Sequence, residues 1–297
     1  MSSSISSLFK FYRQNWSLVL DSIDFIILYL YMKKFNHSRG FYIYGKNAVE
    51  ETILAEPGKV AEVFFVQEEK GKSVKGVDEI VSAAKSHGVR MQTIDEKKEN
   101  RLVGDVKTQG VIAYYTGFTY SHFSDLVEKI ADHSKSCVLV LDGIEDVQNF
   151  GAIIRTAVAV GVDAVMVSDF HQAPVSGGTF KTSAGTIGKI PIIQFAGMGQ
   201  AMEDLKKNDF WLYGVDMPDE ESERTNPYPA GNIWQQKFDG RCAIIVGGEG
   251  KGISQKAKEK CDFIAPIPME NTVESLNVSV AAAVALYEWK RQQGISG

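Results

Sequence analysis

The run Val138-Leu139-Val140-Leu141-Asp142 constrains the fold of this chain more than any other segment. Four consecutive apolar residues without polar alternation read as a strand buried on both faces. Such strands belong to parallel sheets covered by helices above and below. The pattern around the run repeats. Residues 146–160 read as a loop and helix, 164–167 as the next strand, 190–193 as another, with a helix near 198–207. Residues 210–215, 242–246 and 263–267 read as further strands, and 273–291 closes the chain as a helix. Repeated βα units imply one α/β parallel sheet. Residues 216–236, with three prolines and several acids, read as an exposed excursion.

A smaller α/β unit precedes this one. Residues 42–44 open it, Gly45-Lys46-Asn47 turns into a helix over 48–54, and 60–66 is a strand. Val77, Ile80, Val81 and Ala84 recur at helical spacing and predict a helix over 77–86, stopped by His87-Gly88. Strands follow at 89–94 and 110–115. The chain thus divides into an extension at 1–38, a small domain at 39–117, a polar linker at 118–136 with one amphipathic helix near 123–131, and a main domain at 137–297.

Composition narrows the class. The chain has 297 residues, 44% of them hydrophobic, enough for a well-packed core. A charged share of 23% argues against global disorder. The net charge of -5 does not mark a strongly basic nucleic-acid binder, although a local basic patch can coexist with an acidic remainder. Cys137, Cys242 and Cys261 lack CxxC spacing and read as buried free thiols in a reducing compartment. The start of the chain is Ser-rich, with Lys10 and Arg13 and no acid before Asp21, and vaguely resembles a transit peptide. The apolar stretch 25–32 is too short to span a membrane, and Asp21 and Asp24 interrupt the longer run. Two other readings stay open: that Met32, ahead of Lys33-Lys34, is the natural start, or that an accessory helix packs on the body or a partner.

Three blocks carry chemistry. In the first, a helix begins near Asn149, which fits an N-cap. Arg155 follows among Ile153, Ile154, Ala157 and Val158, where it needs either a structural ion pair or an anion to hold. In the second, the strand Ile244-Ile245-Val246 opens into Gly247-Gly248-Glu249-Gly250-Lys251-Gly252, which exposes backbone N–H groups. A dinucleotide fingerprint sits in the first βα turn of its sheet; this run comes after about five strands, which disfavours a nicotinamide. Glu249 fits a helix-cap acid or a partner of backbone N–H groups. In the third, Ile267-Pro268-Met269 leads to Ser275-Leu276-Asn277-Val278-Ser279 and Ala281-Ala282-Ala283, where Ser275 and Asn277 fit caps or a closely threaded loop. HExxH, GxSxG and clustered metal ligands are absent from the sequence, so no metal is expected.

Together the three blocks resemble the three motifs of the SpoU (TrmH) family, S-adenosylmethionine-dependent RNA ribose 2'-O-methyltransferases, over about residues 138–292. The opening Tyr42-Ile43-Tyr44-Gly45-Lys46-Asn47-Ala48-Val49 and closing Lys107-Thr108-Gln109-Gly110-Val111 resemble that family's L30e-like substrate-binding domain. The pairing is most similar to the 23S rRNA guanosine methyltransferase subfamily. The resemblance implies a SPOUT-type parallel sheet with a C-terminal trefoil knot, a homodimer, S-adenosylmethionine as donor, and a cytoplasmic enzyme acting on RNA. Ribosomal RNA is favoured as substrate, with transfer RNA as the alternative. Carried over, Val246, Gly247, Gly248, Ile267, Met269 and Leu276 hold the donor, largely through backbone, while Asn149, Arg155, Glu249, Ser275 and Asn277 take the catalytic or site-shaping positions. Phe150 stands where leucine is frequent, and Lys181 is the only cation in a segment, 177–185, that replaces one contributing to RNA contact. Charge and location suggest Arg39, Lys46, Lys107 and Lys181 as RNA contacts. A silent RNA-binding scaffold is the rival, and intact Asn149, Arg155 and Ser275-Leu276-Asn277 argue against it.

Overall fold

A computed structural model describes residues 40–67, 75–218, 231–248, 250–270 and 275–294. The readings made for the N-terminal extension, for Arg39 and for Glu249 lie outside the described residues.

The first sheet has four strands, β1 (Phe41–Tyr44), β2 (Val60–Val66), β3 (Arg90–Ile94) and β4 (Val111–Tyr115), in the order β1-β4-β2-β3. β4 pairs antiparallel with β1 and β2, and β2 pairs parallel with β3. Helices α1 (Lys46–Ala55) and α2 (Asp78–Ser86) match the apolar spacing. A third helix, α3 (Glu96–Val103), was not legible. Its sequence EKKENRLV has almost no apolar stripe, and its start is set by Asp95, whose carboxylate accepts from the Lys98 N–H at 2.7 Å.

The second sheet has six strands: β5 (Ser136–Asp142), β6 (Ala164–Ser168), β7 (Ile192–Phe195), β8 (Phe210–Val215), β9 (Arg241–Gly247) and β10 (Phe263–Ile264). Their order is β10-β8-β9-β5-β6-β7, and every pairing is parallel. The double-sided burial read from 138–142 holds. Cys137, Leu139 and Leu141 point into one apolar cluster, Val138 and Val140 into another. The first cluster is closed by α5 (Val147–Val160) and α9 (Val278–Gln292), the second by α4 (Phe123–Lys129), α7 (Met198–Lys207) and α8 (Gln255–Lys260).

Three boundaries differ from expectation. The strand expected over 263–267 stops at Ile264, because Pro266 and Pro268 have no N–H for a ladder. The closing helix starts at Val278, where Asn277 caps it, not at 273. The segment expected as a polar linker contributes to the large sheet: Ser121 N–H donates to Ile192 O at 2.9 Å, and Leu126 and Ile130 are buried. The two sheets also share one apolar cluster. Phe180 of the short helix α6 (Gly177–Thr182) is fully buried, its ring 4.9 Å from that of Tyr115 on β4.

Candidate functional site

Parallel strands leave their carboxyl ends pointing one way, and crevices form there. In this sheet β5, β8 and β9 end side by side: Asp142 pairs with Gly247, and Val215 with Val246. Two carboxylates follow these ends and fasten the loop after β9. Asp142 Oδ2 accepts from Ser254 N–H at 2.6 Å, and Asp216 Oδ2 accepts from Ile253 N–H at 2.9 Å. The loop closes on itself, with Gly252 N–H donating to Gly248 O at 3.2 Å and Gly248 N–H donating to Asp142 O at 3.1 Å. Lys258 Nζ lies 3.3 Å from Asp216 Oδ2 and balances its charge.

Glycine is required here by close approach. A Cβ on Gly247 would overlap the Gly252 carbonyl and the Ile253 nitrogen, and one on Gly248 would lie 2.5 Å from Gly143 O. Backbone therefore forms this wall. The opposite wall is the extended chain after β10, held by Ala265 N–H donating to Gly214 O at 2.8 Å. The third is the start of α9. There Asn277 Oδ1 accepts from Ser279 N–H at 3.0 Å and from Ser279 Oγ at 2.6 Å, while its Nδ2 donates to Asn149 Oδ1 at 3.0 Å.

The walls enclose a cavity of about 560 Å³, within the range of small-molecule sites. Val246, Gly247, Gly248, Ile267, Met269 and Leu276 all line it, as do Ser275 and Asn277. Asn149 stands beside the lining through its bond to Asn277, but it does not cap α5. Asp146 does, its Oδ1 accepting from Asn149 N–H at 2.8 Å. The N-cap thus lies three residues before Asn149, where the Asp146 carboxylate reaches a free N–H of the first turn.

Arg155 is the exception. It is exposed, does not line the cavity, and forms no ion pair with a described residue, so the structural salt bridge weighed from sequence is not found among them. Six residues from Asn149 along a helix is a rise of about 9 Å and a turn of about 120°, which carries the guanidinium away from the Asn149–Asn277 contact. Sequence reasoning missed Asp216 and Met217, which line the cavity. The available signal was position: Asp216 follows a buried strand, as Asp142 ends one.

Other chemistries find little support. Cys137, Cys242 and Cys261 are buried free thiols, as expected from sequence. Burial pushes all three above the ordinary thiol range, Cys242 to about 12, so they stay protonated at neutral pH. Among the described residues no group of three or more His, Cys, Asp or Glu could hold a metal ion. Among them, too, no helix is long and apolar enough to cross a membrane.

Comparison with known proteins agrees with the geometry. Residues 136–287 match the SpoU rRNA Methylase family, and residues 42–121 match a family described as RNA 2'-O ribose methyltransferase substrate binding. The chain is 33% identical over 255 residues to the 23S rRNA (guanosine-2'-O-)-methyltransferase RlmB of Xanthomonas campestris, covering 85% of this chain and 96% of the relative. It is 34% identical over 258 residues to a protein of Staphylococcus saprophyticus placed in the TrmH family of tRNA/rRNA methyltransferases, covering 86% and 97%. Its fold matches the SpoU methyltransferase AviRb of Streptomyces viridochromogenes, solved with AdoMet, with a TM-score of 0.66 at 21% identity over 87% of this chain and 91% of that one. The family match, the full-length relatives and the glycine-walled cavity agree: this chain belongs to the SpoU rRNA methylase family.

Proposed function

We propose that this protein methylates a ribose 2'-hydroxyl in RNA, with S-adenosylmethionine (AdoMet) as donor. The observation that carries the reading is the cavity itself, in a chain of this family: backbone on one side, Ile267, Met269 and Leu276 on others, and the Asn149–Asn277 pair at its edge. These residues fit the donor chemically. Gly247 and Gly248 let main chain approach a ligand where any side chain would collide, and the apolar residues suit a flat heteroaromatic ring. The bound donor supplies an electrophilic methyl on a sulfonium.

The chain's own residues then have defined tasks. Most of the rate gain comes from holding the hydroxyl in line with the methyl carbon. The Asn149–Asn277 pair and Ser275 offer polar groups to orient the ribose, and Glu249 remains a candidate by its place in the motif. Arg155 faces away from the cavity of its own chain, which supports its delivery to the site of a second copy. Val280 and Tyr287, both exposed and seven residues apart on α9, form an apolar stripe suited to that pairing. A guanidinium deprotonates only above about pH 12, so anchoring a substrate phosphate and orienting the hydroxyl is the role its chemistry favours.

The finer reading follows the relatives. A guanosine of 23S rRNA is the first candidate target because relatives across nearly the whole chain carry that name; a tRNA ribose is the second, given the Staphylococcus relative. We read residues 39–117 as an L30e-like RNA-binding domain, 137–297 as the methyltransferase domain with a C-terminal trefoil knot, and the protein as a cytoplasmic homodimer. Convergence of 246–248, 250–252, 266–269 and 275–281 on one cavity supports the knot. The test is transfer of tritiated methyl from AdoMet to RNA from cells lacking the protein, with Arg155→Ala as the paired variant. The reading requires incorporation by the native protein at ribose positions and near-complete loss in the variant. Incorporation into bases, or none, ends it.

A further inference from the structure

Lys107 and Lys181 lie 74 positions apart in sequence, yet Lys181 Nζ reaches the side chain of Gln109, two residues from Lys107, and the charge of Lys107 acts on it. Lys181 comes from α6, and its stem crosses the β1–α1 turn at Gly45, where a Cβ would lie 2.8 Å from Lys181 Cδ. Gly45 has φ +96, so this turn requires glycine both for its backbone and for the crossing. Lys181 Nζ donates to Gln109 Oε1 at 2.8 Å, and Lys46 N–H donates to the same oxygen at 3.1 Å. Gln109 is held at φ 59, an uncommon conformation for a side-chain-bearing residue. Its acceptor oxygen is thus used twice from within the protein, while Lys46 Nζ donates to Lys75 O; among the described residues this leaves the amide NH2 of Gln109, the remaining donors of Lys181 and the ammonium of Lys107.

Among the described residues this cluster has no counter-charge in ion-pair contact. No ion pair among them joins Lys46, Lys107 or Lys181 to a carboxylate; Glu99 accepts from Thr108, and Glu51 pairs with Lys189. Burial, and then the charge of Lys107, hold the Lys181 ammonium below the ordinary lysine range. Like charges brought together with partial desolvation cost free energy unless an anion completes them.

The position relative to the cavity identifies that anion. Thr182, next to Lys181, donates its Oγ1 to Val147 O at 3.0 Å, and Val147 opens α5 two residues before Asn149. One short helix therefore separates the lysines from the Asn149–Asn277 pair. Its width of about 10–12 Å is within reach of a strand that extends a few nucleotides from the ribose.

We propose that Lys107, Lys181 and Gln109 form a seat for a backbone phosphate of the substrate RNA, a few nucleotides from the ribose that enters at Asn149. This rests on the RNA reading above. A bridging role for Lys181, tying α6 to the small sheet, is the competing account, and exposed Lys107 separates the two because it makes no bridge among the described residues.

The test uses the full chain, a fluorescent single-stranded RNA of mixed sequence and total ribosomal RNA. The readouts are the slope of log affinity against log salt, KM for RNA, and AdoMet affinity by calorimetry. Each lost contact to a single-strand phosphate lowers the slope by about 0.7. Lys107→Ala is expected to lower it by about that amount, and Lys107→Ala with Lys181→Ala by about twice as much. KM for RNA rises several-fold, with kcat and AdoMet affinity held, and the double Lys→Arg variant restores the slope. A native slope and native RNA KM in Lys107→Ala overturn the seat, as does failure of the Arg pair to restore the slope in a folded protein. Native protein that methylates no RNA ends the function proposed above instead, and the slope measurements then still decide whether RNA uses the lysines.

Discussion

Gly247→Ala tests how the proposed donor cavity is built. The residue ends β9 without a left-handed backbone, so the substitution carries no φ penalty and acts through space alone. The new methyl meets the Gly252 carbonyl and the Ile253 nitrogen, which are main chain and cannot rotate aside. Ordinary contact requires the loop to retreat by roughly 1–2 Å. Such a retreat takes Ser254 N–H from 2.6 Å and Ile253 N–H from 2.9 Å of their carboxylates to beyond hydrogen-bond range.

Each of those bonds reaches an ionised acceptor and contributes about 1.5–3 kcal/mol net. Losing both costs about 3–6 kcal/mol, set against a total stability of about 5–15 kcal/mol. The variant should therefore fold, with a Tm lowered by roughly 10 °C, and should lose most of its AdoMet affinity because the displaced loop is a cavity wall. Thermal melts and AdoMet calorimetry measure the two effects. Gly199→Ala is the matched control, since its Cβ meets nothing within 4 Å in the first turn of α7; it should leave AdoMet affinity unchanged and stability equal or up to about 0.5 kcal/mol higher. A Gly247→Ala protein with native Tm and native AdoMet affinity would show that the wall yields freely, and the cradle argument would fail.

Asp216→Asn keeps the shape but removes the charge facing Lys258 and the Ile253 N–H. It should cost about 1–2 kcal/mol in chemical denaturation and weaken AdoMet several-fold. Asn277→Ala removes both the α9 cap and the bond to Asn149; a loss of about 1 kcal/mol should accompany a fall in kcat that exceeds any change in AdoMet affinity, read by single-turnover methyl transfer. Glu288 is buried near the end of α9, and its carboxyl is held below the ordinary range by the Arg291 guanidinium, against burial, with help from Gln292. A carboxylate with a lowered folded pKa adds stability that is complete above its unfolded value of about 4.3 and is lost as pH falls through the folded value. Glu288→Gln should therefore be less stable than native protein at pH 7, with the gap in Tm closing as pH drops below about 4.

The large sheet was legible because its strands are buried on both faces, and that leaves an unmistakable apolar run. Val138-Leu139-Val140-Leu141 and Ile244-Ile245-Val246 need no partner to be read. Elements stabilised by polar geometry were harder. α3 is set by one Asp95 cap and a nearly apolar-free sequence, and the chain after Ile264 looks like strand until the missing donors of Pro266 and Pro268 are counted. Strand order was not legible either. β5 lies between β6 and β9, so its neighbours come from adjacent and distant parts of the chain, and local periodicity carries no such information.

The candidate site divides the same way. The glycine run at 247–252 could be read as exposed backbone, because close approach of main chain demands that residue type, whereas Ile267, Met269 and Leu276 were named through the family resemblance. Asp216 could not be named, since a carboxylate that fastens a distant loop has the same local sequence as one in a solvated turn, and it fell within a stretch read as an excursion. Arg155 marks a different boundary. Its motif was recognisable, yet within one chain it faces solvent, 120° around the helix from Asn149. A buried arginine would have been explained by its own chain. An exposed one flanked by Ile154 and Thr156, on a helix packed against α9, has no ion-pair partner among the described residues, and the second copy and RNA phosphate proposed above are the groups that would supply one.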